Sequence, residues 1–135
     1  MKLTEDDVIL ALKDYLEERK WHVKEPCLDG KHGIDIEATK NKKLLIVEAK
    51  GARGKRSNTT RKYFDSGQIK THFGVAIVKL LKEKSKKPNA QMAIAQPDDE
   101  QILKTLKSIL PFLKKLGIKL YWVKTKNQVR EYYGA

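Results

Sequence analysis

The sequence predicts a single α/β (α+β) domain, residues 1–135, with a mixed five-stranded sheet flanked by helices. Three observations lead there. A chain of 135 residues is long enough for one domain with a real core and too short for two ordinary ones. Apolar residues recur at helical spacing in three segments and alternate or cluster in five shorter ones, in the order α-β-β-β-α-β-α-β. Two of the short segments are separated by a brief polar stretch and must form an antiparallel hairpin. The later ones are separated by helices and so belong to crossover units.

The first helix starts at Thr4, which has near-capping-box spacing to Asp7, and Glu5, Asp6 and Asp7 suit the positive end of the helix dipole. Val8, Ile9, Leu12, Tyr15 and Leu16 form its apolar stripe, and it should end near Arg19 or Lys20. Residues 21–25 alternate as a short strand, closed by Pro26 and turned by Asp29-Gly30. Residues 34–39 and 44–49 are the next strands, joined by the polar turn "KNKK" at 40–43. Residues 51–60, "GARGKRSNTT", make a basic, glycine-containing loop, the best candidate for a moving segment.

Residues 61–84 are expected to be a long helix with Phe64, Ile69, Phe73, Ala76, Ile77, Leu80 and Leu81 buried. Gly67 and Gly74 weaken it by roughly 1 kcal/mol each against Ala, and Pro88 stops the chain beyond its lysine-rich end. Residues 90–96 form a fourth strand. Asp98 and Asp99 then cap a helix carrying Ile102, Leu103, Leu106, Ile109, Leu110 and Leu113, which Pro111 should kink or end. Residues 118–124 form the fifth strand. The tail to Ala135 has no clear assignment.

Charge narrows the class of partner. There are 29 basic and 17 acidic residues, a formal net charge of +12. Such an excess costs folding stability through self-repulsion and points to a polyanionic partner, most simply nucleic acid. A membrane surface is the weaker alternative, because no stretch combines a basic face with a bulky aromatic one, and no apolar run is long enough to span a bilayer. The single cysteine, Cys27, cannot form an internal disulfide and is expected to be a small strand-end residue. With no signal peptide, this implies a reducing, cytoplasmic setting.

The chemistry is concentrated in the hairpin. With Asn41-Lys42 as the turn residues, Lys40 pairs with Lys43 and, counting outward, Asp35 stands opposite Glu48. Lys50 lies two residues beyond Glu48 and so on the same face. A register shifted by two would keep all three together. Two facing carboxylates repel, and a divalent cation relieves that repulsion. Mg²⁺ needs only one or two protein carboxylates and keeps several waters. Asp35 and Glu48 are therefore candidate ligands for Mg²⁺ or Mn²⁺, with the backbone carbonyl of Ala49 as a further one. Lys50 is placed to assist an attacking water. The set suits metal-assisted phosphodiester hydrolysis.

"GIDIEA" followed by "LLIVEAKG" resembles the PD-(D/E)XK, or restriction endonuclease-like, nuclease superfamily. Its motif is an acid on one strand and (Asp/Glu)-x-Lys on the next, here Asp35 and Glu48-Ala49-Lys50. The resemblance implies an αβββαβ core, over residues 4–96, and an Mg²⁺-dependent nuclease. The proline of the family's "PD" is absent, and Ile34 stands in its place, as in branches similar to archaeal Holliday-junction resolvases and Mrr-type restriction proteins. The resemblance also implies a first-helix acid near the metal, for which Glu5 is the candidate and Asp6 the runner-up. It implies a glutamine on the helix after the third strand, which matches Gln68 in "SGQIKTHFG", with His72 one turn on. Glu37, on the face of Asp35, is an auxiliary acid or an ordinary strand carboxylate, and His32 is a possible substrate contact. Arg53, Lys55, Arg56, Arg61 and Lys62 follow Lys50 directly and are expected to grip phosphates without reading sequence.

The expected function is hydrolysis of phosphodiester bonds, in DNA first, by a domain too small to carry separate target recognition. A homodimer or a protein partner could supply specificity, as in a catalytic module of a restriction or repair complex. The alternatives are a nucleic-acid-binding protein that kept the fold without the chemistry, and an interaction protein using its basic surface on an acidic partner.

Overall fold

The computed structural model describes residues 3–25, 33–52, 66–125 and 128–132. The chain runs α1 (Glu5–Glu18), β1 (His22–Val23), β2 (Ile36–Lys40), β3 (Lys43–Ala49), α2 (Ser66–Lys86), β4 (Gln91–Pro97), α3 (Glu100–Leu106), α4 (Leu110–Lys115), β5 (Ile118–Thr125) and β6 (Gln128–Tyr132). One mixed sheet has its strands in chain order, β1 to β6. β1, β2 and β3 are antiparallel, β3, β4 and β5 are parallel, and β6 returns antiparallel to β5.

Helix α1 forms where its capping box predicts. Thr4 Oγ1 accepts from the Asp7 N–H at 3.2 Å, and Asp7 Oδ2 accepts from the Thr4 N–H at 2.9 Å. Such a cap stabilises a helix by about 1 kcal/mol. The β2–β3 hairpin turns through Asn41 and Lys42, both left-handed at φ 50° and 67°. That is the pair of conformations a two-residue turn of primed type requires. The register follows: Lys40 pairs with Lys43 and Ile36 with Val47.

Two crossovers advance in the same direction along the sheet, β3–α2–β4 and β4–α3–α4–β5. When both are right-handed, their helices share one face. α2, α3 and α4 do share a face, burying Ile69, Phe73, Ala76, Leu80, Ile102, Leu106, Leu110 and Leu113 against Ile46, Met92, Ile94, Ile118, Leu120 and Trp122. α1 covers the other face, where Val8, Ile9, Leu12 and Leu16 meet Val47, Ala49, Ala93, Ala95 and Tyr121. Odd and even positions of each central strand thus serve two different cores, which is why β3 and β4 read as nearly continuous apolar runs.

Two expectations are corrected, and a third falls partly outside the described residues. Among the described residues the sheet has six strands, because residues 128–132 of the tail pair with β5; with Val129 as the one aliphatic residue in the segment, its pattern was too weak to read. The expected single helix after Asp99 is two. Asp99 caps α3 through the Ile102 N–H at 3.1 Å, and Pro111 lies in the first turn of α4, where a missing N–H costs nothing. Pro111 therefore starts a helix. The long helix is described from Ser66, and residues 53–65, including Phe64, lie outside the described residues.

Candidate active site

The C-terminal ends of parallel strands β3 and β4 carry the site, the place where open α/β sheets leave a crevice. Glu48 shares the parity of Ile46, so its side chain enters the face covered by α2. Asp35 immediately precedes β2, and extending the register by one places it opposite Glu48. Backbone bonds fix the pair. The Asp35 N–H donates to Glu48 Oε2 at 3.0 Å, and the Ala49 N–H donates to Asp35 Oδ2 at 2.8 Å. The Glu48 side chain is 1% exposed, and Asp35 is 7% exposed.

Burial sets the electrostatics. It pushes Glu48 up to about 7, the facing Asp35 carboxylate adds to the rise, and the Asp35 N–H and Lys79 oppose it. Asp35 is raised as well, mainly by burial, against the Ala49 N–H, Lys50 and Lys79. Around neutral pH the pair therefore holds a proton or calls for a cation.

A cation within reach is Lys79, which sequence reading missed. Its Nζ lies 3.1 Å from Glu48 Oε1 and 3.4 Å from the Gly33 carbonyl. Burial pulls Lys79 down, but Glu48, Asp35 and Glu5 outweigh it and the net shift is upward. Glu48 Oε1 lies at ion-pair distance yet accepts no aligned hydrogen bond. Lys79 was detectable. Gln68, His72 and Lys79 follow one another at intervals of four and seven on α2, so they share the helix face above the site.

The other expected residues fall as follows. The Lys50 N–H is held by the Ala95 carbonyl at 2.8 Å, which continues the β3–β4 ladder. His72 is partly buried, and burial and the Lys50 charge lower its pKa, which places it within the field of Lys50. Gln68 is partly buried in the first turn of α2. Glu5 opens α1 and adds attraction for Lys79, so the N-terminus of α1 reaches the site. Gly51 explains how: a Cβ there would stand 2.5 Å from the Glu5 nitrogen and 2.7 Å from the Thr4 carbonyl carbon. Its absent side chain admits α1.

Glu37 is engaged elsewhere. Lys24 lies at 3.2 Å and Lys87 at 3.1 Å, and these lysines outweigh burial and lower its pKa. It is an ordinary strand carboxylate. Arg53, Lys55, Arg56, Arg61 and Lys62, together with Cys27 and His32, lie outside the described residues.

A second missed residue is Gln96. Ala49 pairs with Ala95, so one step on Gln96 adjoins Lys50, and on the other side it pairs with Trp122. It is fully buried; its Nε2 donates to the Tyr121 carbonyl at 3.1 Å, and its Oε1 has no partner among the described residues. The signal was a lone amide in the otherwise apolar run "MAIAQP".

Among the described residues no three His, Cys, Asp or Glu side chains are grouped as metal ligands. Two carboxylates are enough for Mg²⁺. Asp35 and Glu48 fit that donor set, since Glu48 Oε1 is buried without an aligned donor and both acids are raised by burial. The Ala49 N–H points toward Asp35. On a regular strand the carbonyl of the same residue points the same way, so it adjoins the pair. Among the described residues no helix is long and apolar enough to cross a membrane. No protein-family model, curated protein or solved structure matches the chain.

Proposed function

We propose that the protein is a metal-dependent nuclease of the PD-(D/E)XK, restriction endonuclease-like type, hydrolysing phosphodiester bonds, most simply in DNA. The observation that carries this reading is the convergence of Asp35, Glu48 and Lys50 on one face at the C-terminal end of β3, with an acid pair whose pKa values burial raises. Asp35 and Glu48 would hold Mg²⁺ or Mn²⁺, with the Ala49 carbonyl and Glu5 beside them. A divalent cation bound there would acidify a water and offset charge on a phosphoryl oxygen.

The chain's own residues do the rest. Lys50 orients the attacking water and faces the negative charge that grows on the phosphate. Gln96 Oε1, without a partner among the described residues, offers an acceptor to the neighbouring Lys50 ammonium when substrate binds. His72, its pKa lowered, and Gln68 offer polar contacts above the scissile phosphate. Arg53, Lys55, Arg56, Arg61 and Lys62 grip the backbone, and the +12 charge draws the polyanion in.

The test is cleavage of single-stranded, duplex, flap and four-way-junction substrates with Mg²⁺ or Mn²⁺. Asp35→Ala, Glu48→Ala and Lys50→Ala should each abolish cleavage with the far-UV spectrum unchanged. Undiminished cleavage by all three variants would sink the proposal. One observation favours a second reading, a nucleic-acid-binding protein without the chemistry: Lys79 already answers Glu48 as a structural ion pair. Calorimetry separates the two, because that reading requires DNA binding with no Mn²⁺ binding.

A further inference from the structure

A second basic feature lies at the other end of the sheet. Glu48 stands five residues from Lys43 along β3, about 16 Å at strand rise. There, around the β2–β3 turn and the starts of β4 and β5, is a cavity of about 620 Å³. Lys40, Lys43, Lys84 and Lys119 line it, with Trp21 and Leu45 among the other walls. None of its described lining residues is Asp or Glu.

Two of these lysines are held by backbone carbonyls and not by carboxylates. Lys13, Lys24, Lys79 and Lys87 each sit against a carboxylate. Lys40 and Lys84 instead donate to backbone carbonyls, of Arg19 at 2.7 Å and of Ala90 at 2.6 Å. A carbonyl fixes an ammonium without cancelling its charge. Of the four, Lys119 meets a carboxylate, that of Glu131 at 2.9 Å. The cavity thus concentrates fixed positive charge in a protein that already repels itself, and an anion relieves the strain. Trp21, partly buried, adds a flat apolar surface suited to a base, and the volume lies in the range of small-ligand sites.

We propose that this cavity binds a nucleoside phosphate unit, the base against Trp21 and the phosphates among Lys40, Lys43, Lys84 and Lys119. The unit comes either from a free nucleotide or from a nucleic-acid strand. The proposal does not rest on nuclease activity, and its test needs no cleavage.

Tryptophan fluorescence of the full chain in EDTA is titrated with a nucleoside triphosphate, with inorganic tripolyphosphate and with a twelve-nucleotide single strand. The nucleotide or the strand should quench emission saturably, and Trp21→Phe should remove the quench. Tripolyphosphate should compete without quenching. Lys43→Glu combined with Lys84→Gln should weaken binding at least tenfold. Lys43→Glu alone, at an exposed position, should weaken it several-fold with an unchanged melting temperature, which covers the case in which the double variant unfolds. A tenfold preference for one titrant identifies the source, and equal affinity leaves the shared chemistry. Absence of saturable binding, or affinity unchanged in the lysine variants, overturns the proposal.

Discussion

Asp35 and Glu48 brace one another through the backbone. The Asp35 N–H is held by the Glu48 carboxylate at 3.0 Å, and the Asp35 carboxylate holds the N–H of Ala49 at 2.8 Å. Neither acid can leave without freeing a buried backbone donor, which costs about 1–3 kcal/mol. The acids are therefore kept together despite their repulsion, and four experiments probe the consequences.

The first concerns pH. Glu48 is held at about 7, above the 4.5 of a free glutamate. A pKa raised by folding contributes stability in full below pH 4.5, and that contribution is lost as pH rises through 7. Asp35, also raised, acts in the same direction. The full loss from Glu48 is on the order of 3 kcal/mol. In EDTA, Glu48→Gln should match the wild-type melting temperature near pH 5 and exceed it by several degrees at pH 8. A constant difference between the two proteins at all pH values would contradict this.

Lys79 should compete with a bound cation. Lys79→Met removes the ammonium beside Glu48, so Mn²⁺ affinity by calorimetry should rise about three- to tenfold. Metal-free stability at pH 8 should fall by roughly 1–2 kcal/mol, less than for a fully buried pair because water screens the half-exposed lysine. Weaker Mn²⁺ binding in the variant would show that Lys79 supports the cation.

Two glycines should respond in opposite ways. A Cβ on Gly51 meets the backbone of Thr4 and Glu5, whereas one on Gly74 meets nothing within 4 Å. Gly51→Ala should destabilise by about 1–3 kcal/mol, as overpacking does, and should shift Glu5 from the site. Gly74→Ala, in the exposed middle of α2, should stabilise by about 0.5–1 kcal/mol. Denaturant midpoints decide both, and a loss at Gly74 would mean that something packs there.

Gln96 should show a divergence of stability from activity. Gln96→Met keeps the volume and removes an acceptor buried without a partner, so stability should hold or rise by up to about 1 kcal/mol. Cleavage should fall at least tenfold if Gln96 steadies Lys50. Undiminished cleavage would leave Gln96 a purely structural residue.

The hairpin was legible because its information is local. Turn length fixes register, and a period of two then fixes which side chains face together, so the pairing of Asp35 with Glu48 could be counted from Asn41-Lys42. The cap of α1 was equally local, with Thr4 and Asp7 three residues apart. Lys79 and Gln96 were not legible in the same way. They reach Glu48 and Lys50 through a parallel crossover, whose register depends on how α2 seats on the sheet. The turn at residues 107–109 was also decided at that level, by packing of Leu106 and Leu110 against Ile118, Leu120 and Trp122, and so was the pairing of β6 with β5, where Val129 packs on the α1 face.

By itself, then, the sequence determined the α/β class, the hairpin register, the three motif residues on one face and the basic charge. Tertiary structure decided what those residues experience. Burial under α2 raised both acids, the long helix delivered Lys79 to them, the missing Cβ of Gly51 admitted the start of α1, and parallel pairing set Gln96 beside Lys50. The physical reason is the range of each interaction. Turn and strand geometry act over a few residues, whereas desolvation and charge coupling depend on segments that only the packed fold brings together.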